Sequence, residues 1–233
     1  MLTVAILAGG LATRLRPLTE QIPKALIEIN GKPFLHHQLT LLERSGIDRV
    51  VMCVGYRGEQ IREYAGDGDR FGLQIEYSFD GPQLLGTAGA IRRALPLLGD
   101  SFLVLYGDSY LPCDYRTANQ CFLDSKKLGL MTVCRNEGNW DTSNVEFAGE
   151  SILRYSKTNR TPRMLHIDYG LGAFRRAAFD LVPGDRPFGL DALYELLLER
   201  GQLTALEVPG RFYEIGSTRG IEDLSEYLAR QIA

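Results

Sequence analysis

Two common phosphate-binding signatures are missing from this chain. No G-x-x-x-x-G-K-[ST] loop occurs, so a Walker-type NTPase is excluded. No G-x-G-x-x-G run follows a strand-like segment, and the acidic residue that would hold a ribose about twenty residues further on is also lacking, which argues against a dinucleotide-dependent oxidoreductase. Cysteine is scarce: Cys53, Cys113, Cys121 and Cys134 are widely spaced, with no C-x-x-C pair, so neither a zinc ribbon nor a disulfide framework is indicated and buried free thiols are expected. The three histidines, His36, His37 and His166, do not have metal-cluster spacing. A strong excess of charge of one sign is missing too. A formal net charge of -3 gives no general attraction to nucleic-acid phosphates, so any phosphate binding has to be local. No basic leader or long apolar run precedes or interrupts the pattern, and a cytoplasmic protein without membrane contact is the expectation.

What is present is ordinary in bulk and unusual in one place. The 233 residues, 45% hydrophobic and 24% charged, suffice for one sizeable core. The unusual place runs from Val4 to Leu26. Val4 to Leu7 reads as a buried strand, followed at once by Ala8-Gly9-Gly10-Leu11-Ala12-Thr13-Arg14. Adjacent glycines can turn successive N–H groups toward one point, a nest that favours phosphate oxygens. Arg14, Arg16 and Lys24 bring positive charge to the same end of the strand, and a polyphosphate site follows. A plain two-glycine turn beside solvated arginines is the competing account.

The string G-G-x-x-T-R-x-x-P-x-T-x-x-x-P-K resembles the signature loop of the sugar-1-phosphate nucleotidyltransferases, with Ala12 where many members have Gly. Other segments support the resemblance across the chain: Leu85-Gly86-Thr87-Ala88-Gly89, Tyr106-Gly107-Asp108-Ser109 and Phe212-Tyr213-Glu214-Ile215-Gly216-Ser217. It implies transfer of a nucleoside monophosphate from an NTP to a sugar 1-phosphate with release of pyrophosphate, as in NDP-sugar biosynthesis for cell-surface polysaccharide. It also implies Mg2+ or Mn2+ as cofactor. By the same resemblance Arg14, Lys24 and Asp108 are the catalytic set, and Leu7, Ala8, Gly9, Gly10, Thr13, Arg14, Gly86, Thr87 and Gly107 bind the nucleotide. Asp108 and Glu214 hold the metal, Glu214 standing one methylene longer than the family's usual Asp. On the sugar side only Lys157 and Gly170 match well, with Asp168 at the usual Asn position; Lys157, Asp168 and Gly170 are the expected sugar-phosphate contacts. GTP with a mannose-like or heptose 1-phosphate is the leading reading. UTP, CTP or dTTP with another sugar is the alternative, and a nucleotide-binding regulatory module without turnover is a third. Oligomeric state is left open.

Along the chain, strand-like and helix-like segments alternate in the first half. Strands are expected at Ala25 to Ile29, Arg49 to Val54, Leu73 to Ser78 and Phe102 to Tyr106, and helices at Phe34 to Ser45, Gly58 to Tyr64 and Gly86 to Leu97, with Gly31-Lys32-Pro33 as a turn. Such alternation implies a Rossmann-like α/β fold, a mostly parallel sheet flanked by helices with its ligand at the carboxyl ends of the strands. The second half is less regular: strands at Leu128 to Cys134, Ser143 to Phe147, Ile152 to Tyr155, Asp168 to Phe174 and Leu203 to Val208, and helices at Leu190 to Glu199 and Ile221 to Ile232. No linker interrupts residues 1–233, so one domain is expected, with 1–110 as a nucleotide-binding half and 111–233 as a smaller sugar-binding lobe of mixed strands, a nucleotide-diphospho-sugar transferase-like arrangement. Trp140 to Asn144 has no assigned role, and burial in the core is the common fate of such a Trp.

Overall fold

The structure is a computed structural model that describes residues 1–11, 13–81, 83 and 85–232, and for Arg14 and Ile232 the backbone alone. The expectation for Ala12 therefore lies outside the described residues. The first half is built as the alternation requires. Strands β1 (Thr3–Ala8), β4 (Arg49–Val54), β5 (Gln74–Phe79) and β6 (Ser101–Tyr106) pair in parallel in the order β6-β1-β4-β5. Helices α1 (Phe34–Arg44), α2 (Gly58–Ala65) and α3 (Gly86–Ala94) make the crossovers. Parallel strands covered on both faces become continuous apolar runs, which is why Val4, Ala5 and Ile6 are all fully buried.

The segment expected as a strand at Ala25 to Ile29 is split. Lys24–Leu26 is a 3-10 turn, and only Glu28–Ile29 (β2) is extended, pairing with Lys32–Pro33 (β3) around Asn30-Gly31. Pro33, read as part of a turn, is tolerated at this two-residue edge because an edge position needs no donor there.

Beyond β6 the sheet continues without a break. Its order runs β12-β8-β11-β6-β1-β4-β5, with the β9-β10 hairpin joined to the start of β11, nine strands among the described residues. β8 is Gly129–Arg135, β9 Val145–Ala148, β10 Ser151–Tyr155, β11 His166–Arg175 and β12 Leu203–Glu207. β11 runs antiparallel to both β6 and β8. The two sequence halves thus share one sheet, and the reversal at β11 is where they meet. One helix escaped the sequence reading altogether: α4, Tyr115–Ser125, whose start is capped by the Asp114 carboxylate accepting from the Arg116 and Thr117 amides. Its buried residues Tyr115, Ala118 and Phe122 follow helical spacing.

Apolar packing occupies both faces of the sheet. On one, Leu35, Leu39 and Leu42 of α1 and Phe122 of α4 cover Val4, Ile6 and Leu103. On the other, Ala88 and Ile91 of α3 and Leu193 and Leu197 of α5 (Leu190–Glu199) cover Ala5, Val51 and Val104. A third cluster seats α6 (Thr218–Ile232) on Phe34 and Ile29 through Leu224 and Leu228. All four cysteines are free thiols, and burial pushes Cys53 and Cys134 up to about 12. Among the described residues no helix is long and apolar enough to cross a membrane.

Candidate active site

Strands β1, β4, β5 and β6 all end at one rim, and the chain segments leaving them line a cavity of about 290 Å3. Leu7, Ala8, Gly9 and Gly10 come from β1 and its loop, Gly107 and Asp108 follow β6, Gly86 and Thr87 open α3, and Lys24 closes the side. Nine of the residues singled out in the sequence therefore line one space. The glycines are there for room. A Cβ on Gly107 would lie 2.7 Å from the Leu7 carbonyl oxygen, closer than atoms can approach, so only a bare backbone lets β1 and β6 run side by side to the rim.

Lys24 Nζ donates to Asp108 Oδ2 at 2.7 Å, tying the end of the long loop to the end of β6. Asp108 itself sits beside a second short ladder, β7 (Ser109–Tyr110) with β13 (Tyr213–Glu214), where Glu214 pairs with Ser109 and the Ile215 amide donates to the Asp108 carbonyl. This ladder brings the late acidic residue to the first one across about a hundred positions of sequence. Glu214 keeps one side open to solvent but is crowded by protein atoms; that crowding first, then the charges of Asp108 and Asp141, pushes its carboxyl up to about 7. Arg211, which could have paired with Glu214, pairs with Asp223 instead. Asp108 and Glu214 are near enough for the charge of one to raise the other, and a pair of carboxyl groups beside a cavity is of the kind that could serve a hard divalent cation as oxygen donors. Among the described residues no larger acidic or histidine cluster able to hold a metal occurs.

The sugar-side residues lie on the reversed strand. Asp168 stands where the β11–β8 register shifts, and its Oδ1 accepts from the Gly170 amide at 3.0 Å. Gly170, at φ 100°, is the bulge that makes this turn possible; its N–H is consumed by Asp168 and it packs toward Tyr106 and Leu111. Burial pushes the Asp168 carboxyl up, while the Lys157 ammonium and the Gly170 amide draw it back. Among the described residues no arginine forms an ion pair with Asp168, and Arg163 pairs with Glu146. Lys157 Nζ lies 5.7 Å from the centre of the Tyr106 ring, and Tyr106 lines the cavity; Lys157, Asp168 and Gly170 themselves are not among its lining residues.

Thr13 is exposed and does not line the cavity, and the Arg14 side chain lies outside the described residues. Thr87 lines it with its hydroxyl already accepting from the Leu190 amide at 2.7 Å, which locks the start of α3 to the start of α5. The residue that the sequence reading missed is Asp80. It follows β5 directly, its Oδ1 is buried with no hydrogen-bond partner among the described residues, and burial pushes its carboxyl up with Arg93 opposing. Its other oxygen fits only because Gly9 and Gly55 lack side chains; a Cβ on Gly9 would lie 2.9 Å from Asp80 Oδ2. The strand-end rule already applied to β1 and β6 points to it once applied to β5.

A glycine loop, an ion-paired lysine and two neighbouring acidic residues at the carboxyl ends of the parallel strands mark an α/β protein with one candidate ligand site at that rim. The description of the nucleotidyl transferase family matches residues 3–142, more than half of the chain, and the chain belongs to that family. Among similar proteins, the N-acetylmuramate alpha-1-phosphate uridylyltransferase of Neisseria meningitidis is 41% identical over 116 residues, 49% of this chain and 50% of that one. The mannose-1-phosphate guanylyltransferase catalytic subunit beta of Xenopus tropicalis is 30% identical over 221 residues, 92% of this chain and 61% of that one. A solved structure of a Bacillus anthracis protein in complex with sucrose has the same fold, with a TM-score of 0.87 at 22% identity, over 100% of this chain and 97% of that chain. The matches span 32%, 50% and 61% of the length of three such curated relatives, so this chain corresponds to part of each.

Proposed function

We propose that this protein transfers GMP from GTP to a sugar 1-phosphate of mannose-like or heptose type, with release of pyrophosphate. The carrying observation is the Asp80 carboxyl at the wall of the glycine-loop cavity, whose Oδ1 has no hydrogen-bond partner among the described residues. A carboxylate accepts and cannot donate. Guanine offers two adjacent donors, N1–H and the N2 amino group, whereas uracil and thymine offer one donor flanked by two carbonyl oxygens that a carboxylate repels. The apolar lining of Leu7, Ala25, Leu85 and Ala90 suits a flat purine.

The reaction asks little of the protein as an acid or base. The sugar phosphate oxygen is already an anionic nucleophile; it attacks the α-phosphorus, the bond to the β-phosphate oxygen breaks, and pyrophosphate leaves. The chain must bring two polyanions together in line and offset charge as it builds. Lys24 in the cavity lining and Lys157 beside the Tyr106 ring support that reading. Mg2+ or Mn2+ held by Asp108 and Glu214 would supply further positive charge to the phosphates.

A pyrophosphate-release screen of four NTPs against sugar 1-phosphates tests the whole reading, and a preference for UTP over GTP would overturn the base assignment. Asp80→Asn gives the sharper result. Its amide presents one donor and one acceptor, so the GTP-over-UTP ratio of kcat/KM should fall by about 10- to 100-fold, the scale of a lost two-point base contact. An unchanged ratio would remove Asp80 from base recognition.

The Glu214 carboxyl also makes metal binding pH-dependent. Because its pKa is raised to about 7, it is protonated at pH values where an ordinary Glu is charged, and the anion appears only as pH rises through that value. Mg2+ affinity measured by calorimetry should therefore rise about tenfold between pH 6 and pH 8. In Glu214→Gln the rise should flatten, and a rise that persists there would assign it to another group.

A further inference from the structure

A second cavity, of about 550 Å3, shares Glu214 with the carboxylate pair and none of the residues that line the nucleotide space. Trp140, Asp141, Arg211, Tyr213 and Asp223 form its walls. Contrary to the expectation of a core position, Trp140 is 40% exposed. It is nevertheless held still. Its amide donates to Asn136 Oδ1, and the Asn136 amide group donates to the Asp141 carbonyl at 2.6 Å and to Ser143 Oγ at 3.0 Å, all from a fully buried Asn. Its ring meets Phe212 edge-on at 6.4 Å, and the Arg211 guanidinium lies 5.9 Å from its centre.

An exposed Trp fixed this firmly is not needed for the core, and its loop leads straight to the sugar side. Four residues after Trp140, the Asn144 side chain accepts from the Asp168 amide at 3.0 Å. The cavity thus opens beside the expected sugar subsite. An aromatic face packs against the C–H face of a carbon chain, and carboxylates accept from its hydroxyls. The cavity's charge argues against an acidic ligand. Three carboxylates, Asp141, Glu214 and Asp223, face two guanidinium groups, and Arg211 is already paired with Asp223 and stacked 4.8 Å from the Tyr213 ring centre.

We infer that this cavity is a subsite for a neutral, polyhydroxylated exocyclic arm of the sugar 1-phosphate, longer than one hydroxymethyl group, with Trp140 packing on the arm and Asp141 accepting from its hydroxyls. The inference rests on the function proposed above and specifies its sugar. Its test is pyrophosphate release by wild type, Trp140→Ala and Trp140→Phe with two substrates that differ only in the arm, a manno-configured heptose 1-phosphate and mannose 1-phosphate, at saturating GTP. Trp140→Ala should raise the heptose KM relative to the mannose KM about tenfold, the equivalent of one lost stacking contact, and Trp140→Phe should restore most of the ratio. Equal changes on both sugars would overturn the subsite alone. So would a relative loss seen only with an acidic sugar such as N-acetylmuramate 1-phosphate. No release from any sugar 1-phosphate by the wild type would overturn the parent reading and the subsite together.

Discussion

Asp108→Asn should lower kcat by about 100- to 1,000-fold, the range for removing one preorganised charge contact of about 3 to 4 kcal/mol from a transition state. The substitution preserves shape and removes charge. Lys24 Nζ, now 2.7 Å from Asp108 Oδ2, would lose its anionic partner, and the carboxylate beside Glu214 would disappear. The fold has little reason to change, because the Asp108 carbonyl that receives the Ile215 amide is backbone. A second readout separates electrostatics from misfolding. Since the Asp108 charge helps to raise the Glu214 carboxyl, that carboxyl should titrate at lower pH in Asp108→Asn, measurable by carbon-detected NMR on labelled glutamate. A folded variant with wild-type turnover and an unmoved Glu214 titration would disprove the shared site.

The other large effect concerns stability. Gly86 opens α3 at φ 73°, a conformation that costs a residue with a Cβ about 1 to 2 kcal/mol, and an added Cβ would fall 2.5 Å from the Phe188 carbonyl oxygen. That oxygen cannot step aside. It accepts from the Ala88 and Gly89 amides, the groups left unpaired at the start of a helix, while the Phe188 amide donates to the Leu85 carbonyl. Gly86→Ala should therefore destabilise the protein by about 2 to 4 kcal/mol, strain and overpacking together. It should also weaken NTP binding at temperatures where the variant stays folded, because Gly86 and Thr87 line the cavity proposed for the nucleotide. Denaturant titration and a nucleotide-binding isotherm measure the two separately. An unchanged midpoint of unfolding would mean that the α3 start yields more easily than its contacts imply.

Much of this site was readable along the chain. The glycine loop, Lys24, Gly86-Thr87 and Gly107-Asp108 each sit at a strand end or helix start, and local pattern reports such places directly. Asp80 was hidden for a different reason: a lone Asp after a strand looks like any turn residue until Gly9 and Gly55 are seen to make room for it. Trp140 was misjudged because composition speaks for burial, whereas the three side-chain bonds of Asn136 hold its loop at the surface. Helix α4 was passed over because its signal was a capping Asp and three apolar residues within a mostly polar stretch.

The sequence by itself determined the parallel half of the sheet, the glycine loop at the end of β1 and the candidacy of Asp108, Asp168 and Glu214, because hydrophobic period, glycine and charge act over a few residues. Only the tertiary structure decided which of them meet. The reversal of β11 against β6 carries Asp168 to the rim, the β7–β13 ladder places Glu214 beside Asp108, and the Arg211–Asp223 pair leaves Glu214 without a cation of its own loop. These are pairings between residues distant along the chain, fixed by strand register and by competition among charges in a shared space, and no local pattern encodes the outcome of that competition.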